Sequence, residues 1–189
     1  MHESICDFLL DIIQNAIEAD ASDIYIAVAD NTEMISCSVT DNGRGMSTSE
    51  IERARDPFYT DGKKHAKRKI GLGIPFLEQA VHMTDGKMSI SSDEGKGTVV
   101  SFSFPQDHMD TPPVGNIPST FLAALTYPGD FEMHIACSVE RGTIHDGYEL
   151  HRSELVEILG NLHMSQSLIL LRDFIQSQDK NLESIRKIH

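Results

Sequence analysis

Hydrophobic positions recur at helical spacing from the start of the chain. Ile5, Phe8, Leu9, Ile12, Ile13, Ala16 and Ile17 predict a helix over residues 4–19 with one apolar face. The polar side carries Asp7, Asp11, Asn15 and Glu18, and the last three, spaced four and three apart, stack along one stripe. That stripe holds no lysine, so its acid and amide suit a cation or water as well as bulk solvent. Ala19-Asp20-Ala21-Ser22 breaks the helix, and the period then changes to two. Ile24, Ile26 and Val28 alternate with Tyr25, Ala27 and Ala29 as a half-buried strand, and Met34 to Thr40 follows as a second strand after a polar turn. Ser47 with Glu50 makes a capping box for a short helix ending near Ala54.

Asp61 to Lys69 is polar and basic and reads as a mobile loop. Ile70-Gly71-Leu72-Gly73-Ile74 closes it and opens a helix through Met83, with Leu72, Phe76, Leu77, Ala80 and Val81 on its apolar face and Pro75 in its first turn. Two further strands, 87–92 and 98–104, flank the hairpin Gly95-Lys96-Gly97. This order predicts an α+β two-layer sandwich, helices on one face of a mixed sheet, over residues 1–105. Residues 106–118, rich in proline and turns, read as a connector. Residues 119–189 read as a small C-terminal α/β appendage of unassigned role. It contains a helix from Ser119, a hairpin (Phe131 to Val139, Thr143 to Leu150), a helix capped by Ser153, and a long helix from Ser165 to Arg186 with a core stripe at Leu168, Leu171 and Ile175.

Composition narrows the setting. An apolar content of 40%, with no apolar run of membrane length and no signal-peptide pattern, leads to the expectation of a soluble cytoplasmic chain. A net charge of −13 argues against nucleic acid or an anionic membrane as partner. The local exception is Lys63, Lys64, Lys67, Arg68 and Lys69, which fit either a solvated basic loop or a loop that meets a polyanion. Cys6, Cys37 and Cys137 each fall in an apolar pattern and read as buried free thiols. The histidines, His134, His145, His151 and His163 among them, show no metal-ligand spacing, so no zinc site is expected.

The candidate chemistry centres on Thr40-Asp41-Asn42-Gly43-Arg44-Gly45-Met46, at the end of the second strand. Its glycines allow close backbone approach, and its carboxylate can accept from an exocyclic amine or order a water. Asp-Asn-Gly is also a common hairpin turn, and by itself the stretch fits both readings. Three other features bear on the choice: an acid and amide on the first helix, a second Gly-x-Gly before a helix, and Gly-x-Gly-Thr before a strand. In that order the set resembles the GHKL family of ATP-binding domains, shared by sensor histidine kinases, type II topoisomerases, mismatch-repair ATPases and heat-shock chaperones. The resemblance covers residues 3–105 and implies a Bergerat-type ATP-binding fold.

It also implies roles. Asn15 would help hold Mg²⁺ against the phosphates of ATP, with Asp11 acting through water or in catalysis. Asp41 would receive the adenine amino group, with Gly43, Gly45 and Met46 beside it. Phe58 would precede a lid whose Lys63, Lys64, Lys67, Arg68 and Lys69 neutralise phosphate charge. Gly71, Leu72 and Gly73 would present backbone amides to the phosphates, and Thr98 would support the adenine end. There are departures: Asp11 stands where the hydrolytic branches carry glutamate, and Lys69 where many relatives carry a further glycine. His2-Glu3 resembles the start of a histidine box but lacks the helical hairpin around a phosphoacceptor. Asp56-Pro57-Phe58-Tyr59-Thr60 and His108 to Ile117 are similar to a group of small stand-alone ATP-binding proteins of anaerobic bacteria, often encoded beside iron-hydrogenase subunits. Two functions are expected from the resemblance. One is a Mg·ATP-dependent protein kinase or ATPase acting on a partner protein in regulation; the other is a nucleotide-controlled binding module with little catalysis. A homodimer is compatible with both.

Overall fold

A computed structural model describes residues 3–56 and 73–187. Helix α1 (Ile5–Glu18) starts at a capping box: the Ser4 hydroxyl accepts from the Asp7 amide, and Asp7 Oδ2 accepts from the Ser4 amide at 2.9 Å. The next two amides, orphaned by helix geometry, donate to chain far away in sequence. Ile5 N–H meets the Pro113 carbonyl and Cys6 N–H the Val114 carbonyl, each at 2.9 Å. The proline-rich connector therefore closes the N-terminus of α1.

Strands β1 (Asp23–Asp30) and β2 (Met34–Asp41) pair antiparallel, with Val28 opposite Cys37. Helix α2 (Thr48–Arg55) has the expected Ser47–Glu50 capping box, and α3 (Gly73–Met83) ends where expected. Arg55 Nε reaches Glu78 across the two helices at 3.4 Å. Strands β3 (Lys87–Asp93) and β4 (Gly97–Pro105) form the hairpin, and β4 pairs antiparallel with β2, placing Thr98 opposite Asp41.

The residues beyond the connector join this same architecture. Helix α4 (Ile117–Leu125) is followed by β5 (Glu132–Arg141), which lies parallel to β1 from Asp23 opposite Glu132 to Asp30 opposite Val139. Strand β6 (Ile144–His151) returns antiparallel. The result is one six-stranded mixed sheet in the order β3-β4-β2-β1-β5-β6, so β1 is a central strand. Helices α5 (Arg152–Leu159) and α6 (Ser165–Arg186) complete the helical layer. Phe121 and Leu125 of α4 and Leu171 and Ile175 of α6 are fully buried in the core that also holds Leu9 and Ile13 of α1.

Alternation sends Ile24, Ile26, Val28, Ile35, Cys37, Val39, Phe102, Phe104, Met133 and Ile135 to the helix-covered face. Tyr25, Ala27, Ala29, Ser38, Thr40, His134 and Ala136 face the other way and stay at least partly exposed. Among the described residues no helix is long and apolar enough to cross a membrane.

Two local expectations are corrected. Helix α4 begins before Ser119, because the Asn116 side chain caps it and accepts from the Ser119 amide at 2.8 Å. Ser153 does not cap α5: the cap position falls at His151, which makes no side-chain cap hydrogen bond, and the Ser153 amide instead meets the Glu132 carboxylate at 3.2 Å. Burial pushes the Glu132 carboxyl up, but the Ser153 hydroxyl and the Met133 and Ser153 amides outweigh it and hold the group below the ordinary carboxylate range. An acceptor supplied by another strand leaves no mark in the local sequence.

Candidate functional site

Four elements meet where β2 ends. Asp41 is the last residue of β2 and only 8% exposed. Its Oδ1 accepts from the Gly43 amide at 2.8 Å, an Asx turn that fixes the carboxylate. Burial pushes the carboxyl above its ordinary range, while hydrogen bonds from the Gly43 and Thr98 backbones pull it partly back. A desolvated acceptor held by backbone donors discriminates between donors and water.

The glycines around it are required by the protein's own backbone. A Cβ on Gly43 would lie 2.6 Å from the Ala19 carbonyl oxygen, so the turn sits directly on the C-terminus of α1. Gly45 has φ +65°, and its Cβ would lie 1.9 Å from the Asp93 carbonyl oxygen. Gly97 has φ +98°, and its Cβ would lie 1.9 Å from the Asp41 carbonyl oxygen. Both glycines supply a left-handed conformation and a close backbone crossing at once. The β2 loop and the β3–β4 hairpin thus interlock around Asp41.

Residues that the sequence pattern does not single out hold this lock. Asn42 Oδ1 accepts from the Ser22 and Asp23 amides at 2.9 and 3.0 Å. The Arg44 amide donates to the Ala19 carbonyl at 3.0 Å, and the Gly95 amide to the Arg44 carbonyl at 2.7 Å. Ser92 Oγ accepts from the Met46 amide at 2.8 Å and lies 2.9 Å from both the Gly97 carbonyl and Thr98 Oγ1. Its signal in the sequence is slight, a polar side chain at a core-facing position of β3. Thr98 itself is buried opposite Asp41.

Asp11 and Asn15 approach from α1. Asp11 is half-buried and Asn15 exposed. A Cβ on Gly73 would lie 2.9 Å from Asp11 Oδ2, which places the first residue of α3 against the Asp11 carboxylate. The structure therefore gathers Asp41, Gly43, Gly45, Met46 and Thr98 at the end of β2, and sets Gly73 against Asp11 on α1, the helix whose C-terminus meets that turn. The other expected site residues, Phe58, Lys63, Lys64, Lys67, Arg68, Lys69, Gly71 and Leu72, lie outside the described residues.

Asp11 and Asn15 offer side-chain oxygens, the kind of donor that suits magnesium. Mg²⁺ takes one or two protein oxygens and completes its octahedron with water and phosphate oxygens. Among the described residues no group of three His, Cys, Asp or Glu side chains gathers as a self-sufficient cage. Burial favours the protonated form of the three thiols, pushing Cys6 up to about 11 and Cys137 up to about 12, and raising Cys37 as well.

Residues 3–108 match the model of the histidine kinase-, DNA gyrase B- and HSP90-like ATPase family, over more than half of the chain. The chain belongs to this family. It is similar to sporulation kinase E of Bacillus subtilis, at 31% identity over 99 residues covering 51% of this chain and 13% of that protein. It is also similar to the cell-division control histidine kinase PdhS of Brucella canis, at 32% identity over 115 residues covering 54% of this chain and 11% of that protein. The chain thus spans only a small part of the length of these relatives. The N-terminal domain of a DNA repair protein shares the fold at 14% identity and TM-score 0.52, covering 87% of this chain and 58% of that one. That coverage exceeds the family segment, so the likeness in fold reaches into the C-terminal strands and helices.

Proposed function

We propose that this chain binds Mg·ATP at the end of β2 and transfers the terminal phosphoryl group to a side chain of a partner protein. The observation that carries the reading is the buried Asp41 carboxylate, held by the Gly43 amide in a frame of Gly45, Gly97 and Thr98. In this reading Asp41 accepts the adenine amino group, an interaction that leaves a buried acceptor unsatisfied when the base lacks that amine. Asn15 and, through water, Asp11 hold Mg²⁺, whose chemistry when bound is to neutralise charge on the phosphates. The N-terminus of α3 favours the phosphates through its dipole and amides. The basic side chains between Lys63 and Lys69 add charge neutralisation, which is most of what phosphoryl transfer asks of a protein. The terminal P–O bond breaks, ADP leaves, and a new bond forms to the partner's nucleophile, whose proton passes to solvent or a nearby carboxylate. A cytoplasmic regulatory setting belongs to the same proposal.

Calorimetric titration with Mg·ATP tests the binding step. Asp41→Asn is expected to weaken affinity by roughly ten- to a hundredfold, the equivalent of about 1.5–3 kcal/mol for one hydrogen bond to a charged group. Unchanged affinity would return the stretch to a plain turn. Labelled ATP with candidate partners tests transfer, and absence of label on every partner sinks the kinase assignment.

Asp11 favours a second reading. A carboxylate one methylene shorter than glutamate sits about 1 Å from the place hydrolysis needs, a displacement that costs on the order of a hundredfold. In that case nucleotide alters how the rest of the chain meets its partner, with little turnover. Steady-state phosphate release from the wild type, Asp11→Ala and Asn15→Ala separates the two readings.

A further inference from the structure

The open face of the sheet, opposite the face on which Asp41 is buried, carries a cluster that no sequence spacing shows. Tyr25 of β1 lies opposite His134 of β5, which lies opposite His151 of β6. The Tyr25 and His134 rings stack with centroids 4.4 Å apart and 8° between planes. His151 meets His134 edge-on, with centroids 4.9 Å apart, and the two Nδ1 atoms are 2.7 Å from each other. Neutral imidazoles make that contact only if one Nδ1 donates and the other accepts, so a single proton is shared between them. At the far nitrogen of the second ring, Glu149 Oε2 lies 3.9 Å from His151 Nε2. The cluster borders a depression of about 310 Å³ floored by Ala27 and Ala136.

We propose that His134 and His151 form a two-histidine site for a divalent first-row transition metal ion such as zinc or copper, with the paired Nδ1 atoms as ligands. The ion takes the place of the shared proton, which moves to Nε2 of the ring that carried it, so that both Nδ1 lone pairs face the metal. Imidazole nitrogen suits zinc and copper, whereas magnesium prefers oxygen, so this site is chemically separate from the one at Asp41 and does not rest on the nucleotide reading. Glu149 and the chain's net charge of −13 favour a cation over an anion here. A carboxylate near the second ring nitrogen favours the tautomer with the proton there, which leaves the other lone pair for a metal; Glu149 acts here as a nearby negative charge rather than as a hydrogen-bond partner. The Tyr25 stack restrains the orientation of the His134 ring. Tetrahedral ligation at ~2.0–2.1 Å sets two nitrogens roughly 3.3 Å apart, so the pair must open by about 0.6 Å, a small rotation for side chains at the surface. No third His, Cys, Asp or Glu joins them among the described residues. Water, or a side chain of a docking protein, completes the coordination.

The test is titration of zinc chloride into the nucleotide-free full chain by calorimetry, with copper chloride followed by electron paramagnetic resonance. One equivalent is expected to bind. His134→Gln and His151→Gln should each weaken it by at least about tenfold, the scale on which loss of even a supporting group acts. His145→Gln and His163→Gln, elsewhere on the surface, should leave it unchanged. The copper spectrum should show coupling to two imidazole nitrogens in the wild type and lose it in either variant of the pair. Zinc should raise the melting temperature of the wild type and not of the double variant, which also checks that the variants fold. Equal affinity in the double variant, or no binding in the wild type, overturns the site, and equal affinity in Glu149→Gln removes Glu149 from it.

Discussion

Asp41 shows how one residue serves folding and ligand binding at once. Burial raises its carboxyl while two backbone hydrogen bonds pull it down, and burial wins. Below the ordinary value of 3.8 the group is protonated in both the folded and the unfolded chain, so acid and amide are equivalent. Above it the unfolded chain ionises freely and the folded chain resists, so stability from this group falls as pH rises through that window. Asp41→Asn keeps the acceptor for the Gly43 amide and removes the buried charge. Its stability relative to wild type should therefore be level at low pH and increase as pH rises through the carboxylate range, as urea unfolding at a series of pH values would show. Gly45 makes the opposite case. In Gly45→Ala the left-handed backbone alone costs about 1–2 kcal/mol, and the approach to the Asp93 carbonyl adds to it, so the denaturation midpoint should drop sharply. A stability unchanged in Gly45→Ala would mean that the loop and hairpin are not interlocked as described. Both residues stand out in the sequence, as part of Asp-x-Gly-x-Gly, but the neighbour that makes each glycine necessary does not. Asp93 is 48 positions from Gly45, and only the pairing of β2 with β4 brings them together.

At the scale of elements, period and caps account for what was legible. Helices α1, α3 and α6 follow apolar spacing and the strands follow alternation, while the Ser47–Glu50 capping box, a local pattern, marks the start of α2, which buries no residue. Contacts from elsewhere in the chain were not legible, and one of them displaced an expected cap at Ser153. Glu132 reaches the Ser153 amide from β5, and α1 is closed by the carbonyls of Pro113 and Val114. The second of these gives the connector a mechanical role that turn composition alone does not suggest. A chain cut after residue 108 would leave the Ile5 and Cys6 amides without those acceptors and expose the β1 edge that β5 covers. Such a fragment is expected to show no cooperative thermal transition, although it contains the family segment. A sharp transition in circular dichroism would instead support an independent domain over residues 1–105.

At the scale of the molecule, a buried ion network ties the chain's end to its centre. Asp30, at the end of β1, meets Arg141 of β5 at 2.7 Å and Arg186 of α6 at 3.2 Å, and Arg186 also meets Asp179 at 2.9 Å. Gln106, just past β4, donates to the same Asp30 at 2.7 Å. Asp30 and Arg141 are 5% and 8% exposed at the side chain, so breaking the pair leaves charge in the interior. Asp30→Ala is expected to destabilise the protein by about 3–5 kcal/mol, measured by urea unfolding, because it removes a partner from two arginines. A loss within the range of an ordinary surface substitution would mean that Arg141 and Arg186 find water instead. Mg·ATP affinity of whatever folded fraction remains should be unaffected, since the network lies at the opposite end of the β1–β2 hairpin from Asp41.

By itself the sequence determined the repeating elements, the buried face of each strand, and the order of motifs that marks the family. These depend on neighbours within one turn or one pleat, where spacing reports geometry directly. Tertiary structure decided which strands lie side by side. A strand with alternating residues is equally suited to any partner, so nothing in residues 132–141 foretells that they lie parallel to β1. Everything that rests on that pairing was hidden with it: the Asp30 network, the joining of the C-terminal helices to the core, and the meeting of His134 with Tyr25 on the open face.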